Sequence, residues 1–382
     1  MNDDGTIMPS TSLPDCAGAI LAAFSARDTV LTDTPVIQPA APFLDMTGEA
    51  LRRRIFMTES ETGESLCLRP EFTIPVCRHH IAENAGTPQR YAYCGMVFRQ
   101  SREDGADEFF QAGIEDLGTT DVAAADARAI ADATAALGAC LPGQRFSVIL
   151  GDQAIFEAVV RALGLPGGWQ KRLIQAFGNH ARLEALLETL ARPNPVSGLD
   201  RRVAAFLADG DEAGLIVHID QTMQATGYST NASRNPEEIA RRLKEKLALS
   251  VTSLDRDALE ALKTFLSLEV SLDAASSELS AFSENFDLDI GAAIGVFERR
   301  ITALRSAKVD VAAITYRAAF GRPLDYYTGL VFEIAEAGER GALLAGGGRY
   351  DRLLTLLGAS DHIPAVGFSL WLDRIERAGE QA

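Results

Sequence analysis

Cysteine, histidine and tryptophan are scarce in this chain, at five, five and two among 382 residues. The cysteines (Cys16, Cys67, Cys77, Cys94 and Cys140) are odd in number and follow no zinc spacing, which argues against a disulfide framework and a thiolate metal centre. They read as reduced, mostly buried thiols. The histidines are scattered. His79 and His80 are adjacent and would point apart on a strand, so no bound metal and no cofactor are expected. The chain also lacks a long apolar run. Ala17 to Phe24 is too short to span a bilayer, and the N-terminus opens on Asp3 and Asp4 without a basic leader. No membrane span is therefore expected, and the cytoplasm is the expected location. Positive charge is short as well. Lys plus Arg number 36 against 53 Asp plus Glu, a net charge of −17, which disfavours phosphate-rich nucleic acid and anionic lipid as partners. The tightest basic runs, Arg52-Arg53-Arg54 and Arg241-Arg242 with Lys244 and Lys246, read as solvated helix faces.

What is present is an ordinary globular composition, 47% hydrophobic and 23% charged, with length for two structural units. Residues 12–26 carry a helical stripe of Leu13, Ile20, Leu21 and Phe24. Thr34 to Gln38 is extended around Pro35, and a turn near Glu61-Thr-Gly-Glu64 leads into Ser65 to Leu68. Arg90 to Arg99 and Phe109 to Glu115 read as long strands separated by an acidic loop. Asp121 to Leu137 is an Ala-rich helix. Residues 152–285 read as a mostly helical insertion, with Asn235, Pro236 and Glu238 spaced as a helix start with a capping box. Strand character returns at Val311 to Tyr316, Leu330 to Glu333, Leu343 to Asp351 and Ala365 to Phe368, and a helix from Trp371 follows. Strands and helices thus occupy 1–151 and 286–382, on either side of the helical stretch.

Polar side chains concentrate in four apolar segments: Leu68-Arg-Pro-Glu-Phe-Thr73; Phe98-Arg99 with Gln111 and Glu115; Arg322-Pro-Leu-Asp-Tyr-Tyr327; and Gly346-Gly-Gly-Arg-Tyr-Asp351 with Arg374 downstream. Period-2 geometry puts Gln111, Gly113 and Glu115 on one strand face, and Tyr91, Tyr93, Gly95, Val97 and Arg99 on one face of its neighbour. Gly113 would leave space for a ligand above the sheet. A carboxylate, a carboxamide and a guanidinium on one face suit a small zwitterion. Arg99 or Arg322 can take its carboxylate, and Glu71 or Glu115 its amino group or a ring N–H. Each pair alone could equally be a structural ion pair. The glycine tract lacks the Lys-Ser/Thr ending of a phosphate loop.

The order of these segments resembles histidyl-tRNA synthetase, a class II aminoacyl-tRNA synthetase. The resemblance implies an α+β core over 1–151 and 286–382, mainly antiparallel sheet flanked by helices, interrupted by the helical insertion 152–285. Thr34-Pro35 is similar to motif 1, which in that family builds the dimer interface. Phe98-Arg99 through Glu115 is similar to motif 2, and Ala365-Val-Gly-Phe368 through Arg374 to motif 3. Leu324-Asp-Tyr-Tyr327 and Gly347-Gly-Arg-Tyr-Asp351 are similar to the two histidine signatures. The resemblance implies that Glu71, Thr73 and Gln111 hold an amino acid's α-amino group. It implies that Glu115 and Tyr327 read an imidazole, with Tyr326 and Tyr350 close by, and that Arg322 lies near the carboxylate. It makes Arg99 and Arg374 the motif 2 and motif 3 arginines.

Departures from the family fall where nucleotide and tRNA would bind. Ser101 stands where the family has a Glu that reads adenine. The loop before Phe109 carries Glu103, Asp104, Asp107 and Glu108, which repel a triphosphate. Trp371 replaces a motif 3 glycine, and Pro323 another glycine. Ser101, Phe109, Trp371 and Arg374 thus mark a vestigial nucleotide site. The chain ends soon after motif 3, so the anticodon-binding module is expected to be missing. This profile resembles the regulatory subunit of ATP phosphoribosyltransferase. The resemblance implies a protein without catalytic residues that joins a short catalytic subunit for the first step of histidine biosynthesis. It also implies histidine as feedback effector, a homodimer inside a hetero-oligomer, and no tRNA. The alternatives are a trimmed synthetase that forms histidyl-adenylate, and a histidine-binding module serving another partner.

Overall fold

The computed structural model describes residues 13–83, 86–100, 106–192, 200–226, 235–251, 254–322, 326–338 and 341–380. The chain forms two compact units, 1–159 with 177–179 and 264–382, and 160–176 with 180–263.

Among the described residues the first unit holds twelve strands. They are β1 (Val30–Leu31), β2 (Ile37–Pro39), β3 (Met57–Glu59), β4 (Ser65–Leu68), β5 (Gln89–Phe98), β6 (Glu108–Leu117), β7 (Phe146–Asp152), β8 (Glu269–Ser271), β9 (Ile314–Arg317), β10 (Leu330–Glu336), β11 (Leu343–Arg349) and β12 (Ala365–Trp371). Nine of them form one sheet in the order β1-β5-β6-β12-β11-β10-β7-β9-β8, and β2-β4-β3 form a second, small sheet. The large sheet is antiparallel except at β1–β5 and β7–β9. The register fixes which side chains meet. Tyr91, Tyr93 and Gly95 of β5 face Glu115, Gly113 and Gln111 of β6. These in turn face Gly367, Ser369 and Trp371 of β12. Gly367 and Ser369 lie opposite Gly348 and Gly346 of β11. Directly opposed residues share a face, so one face of four adjacent strands carries Tyr91, Tyr93, Gln111 and Glu115 together with the glycines that leave space beside them.

Helices Ala17–Ser25, Val122–Cys140, Gly291–Ser306 and Leu372–Glu380 belong to the same unit. Asp121 starts the second of these by accepting the Ala124 N–H at 3.0 Å. Its buried Ala125, Ala129, Ala133 and Ala136 are small enough to allow close packing. Asp126 on this helix is fully buried between two arginines, with Arg300 Nε at 2.6 Å and Arg349 Nη2 at 2.6 Å. Arg300 also pairs with buried Asp152. Each charge in this cluster is matched, which is what makes burying it tolerable.

The second unit is helical over its described residues, with a small core of Leu215, Ile219, Met223 and Ala240. Asn235 caps helix Pro236–Val251 by accepting the Glu238 N–H at 2.7 Å. The reciprocal half of the expected capping box is replaced: the Glu238 carboxylate pairs with Arg241 and Arg242 at 2.7 Å each. The boundaries of this unit lie inside the span read as the insertion, 152–285. Asp152–Val159 and Thr264–Asn285 fall in the first unit. The reason is local: β8, a strand inside the stretch read as helical, pairs with β9 through Val270 and Tyr316. No helix among the described residues is long and apolar enough to cross a membrane.

Candidate ligand pocket

Glycines open the polar face of the sheet, and each makes way for a particular side chain. A Cβ on Gly346 would stand 2.7 Å from the Arg322 guanidinium carbon, and one on Gly348 would stand 2.8 Å from the Tyr327 ring. On Gly367 it would come within 2.6 Å of the Glu115 carboxyl carbon. The Gly-Gly-Gly tract is therefore a strand segment that lets bulky groups lie flat on the sheet. Gly113 corrects an expectation. The space above it is taken by the Tyr93 ring, 2.5 Å from where a Cβ would be. The Tyr93 hydroxyl reaches on to Ser369 Oγ at 2.8 Å. Alternation fixed the face of Gly113, but not which neighbour would fill the gap.

Above this floor lies a cavity of about 210 Å³. Glu71, Thr73, Arg99, Gln111, Arg322, Tyr326, Tyr327, Tyr350 and Trp371 line it. Drug-sized ligand sites measure roughly 300–1,000 Å³, so this cavity suits a smaller guest. Glu115 sits just beneath. Its Oε1 accepts from Thr73 Oγ1 at 2.7 Å, and its Oε2 accepts from the Tyr350 hydroxyl. Burial pushes Glu115 up from 4.5 to about 8, against the pull of the Tyr350 and Thr73 hydrogen bonds. The start of helix Thr73–Ala82 holds Glu71, whose carboxylate accepts the N–H groups of Thr73 at 2.6 Å and Ile74 at 3.0 Å. A carboxylate there is favoured by the first-turn donors and the helix dipole. Burial nevertheless raises Glu71, and its two backbone bonds only partly offset this.

Cations line the other side. Arg99 donates to the Pro70 carbonyl at 2.7 Å, and burial lowers it to about 10 despite the nearby Glu71. Arg322 donates to the Tyr327 hydroxyl at 2.9 Å and pairs with Glu333 at 3.2 Å. Burial works to lower Arg322, but Tyr327 and Glu333 outweigh it and raise the group, holding it charged. The Trp371 indole is buried, with the Arg322 guanidinium 5.8 Å and the Arg374 guanidinium 5.0 Å from its ring. Stacked cations of this kind hold an indole in place. Gln111 is 1% exposed, and its Oε1 has no hydrogen-bond partner among the described residues. A buried acceptor left this way is costly unless a donor arrives.

Not every expected residue reaches the cavity. Phe109 packs 5.3 Å from the Arg99 guanidinium and does not line it. Arg374 donates to the Leu343 carbonyl at 3.0 Å. Ser101, Glu103, Asp104 and the segment 323–325 lie outside the described residues. Conversely, Arg54, Leu51 and Ser369 line the cavity without having been singled out. Arg54 corrects the reading of its run as solvated. Arg52 and Arg53 are exposed, but Arg54 is half-buried and donates to the Gln100 carbonyl at 2.8 Å. Helix Glu49–Arg52 ends just before it, and this change of direction is what turns Arg54 inward. Glu71 carried a usable signal, since an acid just ahead of a helix start is a capping position.

Two carboxylates, a carboxamide and two arginines thus surround a small cavity on the sheet of a class II synthetase-like fold. A family model for histidyl-tRNA synthetase matches residues 15–375. The chain is 65% identical over 371 residues to the ATP phosphoribosyltransferase regulatory subunit of Rhizobium rhizogenes (strain K84 / ATCC BAA-868), covering 97% of this chain and 99% of the relative. It is 66% identical over 371 residues to the protein of the same name in Allorhizobium ampelinum (strain ATCC BAA-846 / DSM 112012 / S4), with the same coverage. The fold matches the crystal structure of an ATP phosphoribosyltransferase regulatory subunit/histidyl-tRNA synthetase from Bacillus halodurans. That match has a TM-score of 0.61 at 22% identity and covers 95% of this chain and 78% of the other. The chain belongs to the ATP phosphoribosyltransferase regulatory subunit family, within the histidyl-tRNA synthetase fold.

Proposed function

We propose that this chain is the non-catalytic regulatory partner of the short ATP phosphoribosyltransferase catalytic subunit, acting at the first step of histidine biosynthesis in the cytoplasm. In this reading the pocket binds free histidine as the feedback signal. The observation that carries the ligand assignment is the buried, unpartnered Gln111 Oε1 beside Glu71. Together they make an acceptor pair for an ammonium group. The oxygens of Glu71 each keep a lone pair beyond the backbone bonds they accept. Arg99 and Arg322 then take the α-carboxylate. The imidazole lies toward Glu115 and Tyr327, where a ring N–H meets a carboxyl oxygen and a hydroxyl.

The same geometry disfavours a nucleotide. Trp371 lies between Arg322 and Arg374, where a motif 3 glycine would leave room. Arg99, Arg322 and Arg374 remain as cations, so the loss lies in the space that Trp371 fills and in the acidic sequence before Phe109. The exposed apolar side chains Val30, Leu31, Val36 and Ile37 cluster in sequence around Thr34-Pro35, Met57 lies in the same small sheet as Ile37, and all five are 41–63% exposed. They support a homodimer within the hetero-oligomer.

Feedback requires histidine to favour the inhibited assembly, because an effector shifts an equilibrium only through differential affinity. The test is the rate of the short catalytic subunit with and without this chain, and with and without histidine. Calorimetry on this chain alone should show histidine binding that Glu115→Ala abolishes, and no histidine-dependent ATP–pyrophosphate exchange should be detected. A catalytic subunit indifferent to this chain, or exchange at a synthetase-like rate, would overturn the assignment.

A further inference from the structure

Two of the five cysteines come together although 124 residues separate them. Cys16 immediately precedes helix Ala17–Ser25, and Cys140 ends helix Val122–Cys140. The Cys140 thiol lies 3.6 Å from the Cys16 carbonyl oxygen, which it meets as a donor across the two segments. Both are half-buried, whereas Cys67 and Cys77 are buried. Two partly exposed thiols on adjoining segments, one within reach of the other residue's backbone, are the arrangement of an oxidation-sensitive pair.

The position links the pair to the pocket. The Cys16 thiol donates weakly to the Leu372 carbonyl at 3.9 Å, one residue beyond Trp371. The Asp15 N–H donates to Glu376 in the same helix, Leu372–Glu380. On the other side of the pair, Gln144 Nε2 donates to the Ala378 carbonyl at 3.1 Å. The segments that carry the two thiols therefore grip both ends of the helix that follows the pocket strand.

We propose that Cys16 and Cys140 form a site of reversible oxidation by peroxide, closing to a disulfide that clamps helix Leu372–Glu380 and with it the Trp371 wall of the pocket. The Cys140 thiolate attacks one peroxide oxygen. The O–O bond breaks, the other oxygen leaves with a proton as water, and Cys140 becomes a sulfenic acid. The Cys16 sulfur then attacks Cys140, the S–O bond breaks, and the hydroxyl leaves with the Cys16 proton as a second water. Two thiols and one hydrogen peroxide thus give one disulfide and two waters, and a dithiol reductant reverses the change.

The experiment treats the full chain with hydrogen peroxide and counts reactive thiols under denaturing conditions. The expected count falls from five to three, with a Cys16–Cys140 cross-linked peptide in the digest, and dithiothreitol restores five. Cys16→Ser should keep its four remaining thiols out of any disulfide within the chain. Hydrogen exchange, which needs no variant, should show amides of Leu372–Glu380 exchanging several-fold more slowly in the oxidised form. Five thiols after treatment, a bridge mapped to another pair or between two chains, or unchanged exchange in that helix would each overturn the proposal.

Discussion

Replacing Glu115 by Gln removes one titratable group from beneath the pocket while keeping its size and an acceptor for Thr73. Burial raises Glu115 from 4.5 to about 8. At about 1.4 kcal/mol per pH unit, ionising it costs the native state roughly 5 kcal/mol. Between those two values the native chain holds a proton that the unfolded chain has released. The stabilising contribution is therefore complete below pH 4.5 and is lost as pH rises through about 8. Glu71 is also raised by burial and adds to the shift of Glu115, so the two release their protons as a coupled pair. The roughly 5 kcal/mol is thus an upper bound for one site. The assay is urea unfolding of wild type and Glu115→Gln at intervals across this window, with the difference in unfolding free energy plotted against pH. Wild type should lose stability relative to the variant as pH rises, by several kcal/mol in total. A level difference, or one that grows in favour of wild type, would mean that the native carboxyl is already charged at low pH. The account of a desolvated acid in the pocket floor would then fail.

Gly367→Ala places a methyl group against the Glu115 carboxyl. It should cost about 1–3 kcal/mol or more by overpacking and remove histidine binding, read by chemical denaturation and calorimetry. Arg300→Ala leaves Asp126 and Asp152 buried without this cation, and should cost about 3–5 kcal/mol in a denaturant titration while leaving the pocket residues untouched. Trp371→Ala should lower stability by about 3–5 kcal/mol. It should also open the wall between Arg322 and Arg374, so that ATP binding is measurable by equilibrium dialysis in the variant and not in wild type.

Strands with strict alternation were the most readable part of the chain. Tyr91 to Val97 and Gln111 to Glu115 announced both their structure and the face their polar groups share, because a period of two leaves no choice. The filling of gaps was hidden. Nothing near Gly113 in sequence says that Tyr93 rather than a ligand covers it, since that depends on a cross-strand register. Arg54 was obscured by two identical neighbours that do face solvent. The strand Glu269–Ser271 was hidden in the stretch read as helical because its three residues pair with a strand more than forty residues later, and a strand so short leaves little pattern of its own. The meeting of Cys16 with Cys140 has no local trace at all.

Strand β12 runs between β6 and β11, joining residues that lie roughly 250 positions apart along the chain to those just upstream of it. The pocket wall, its floor hydroxyl and the glycine that admits Glu115 all arrive on that one late segment. A nascent chain that has not yet supplied Ala365 exposes two unsatisfied strand edges where the site will be, and it can neither sense an effector nor shield its interior. Frameshifts and nonsense codons anywhere upstream should therefore abolish ligand sensing outright rather than weaken it. Fragment complementation with a separately supplied β12 peptide offers a direct route to switching the site on.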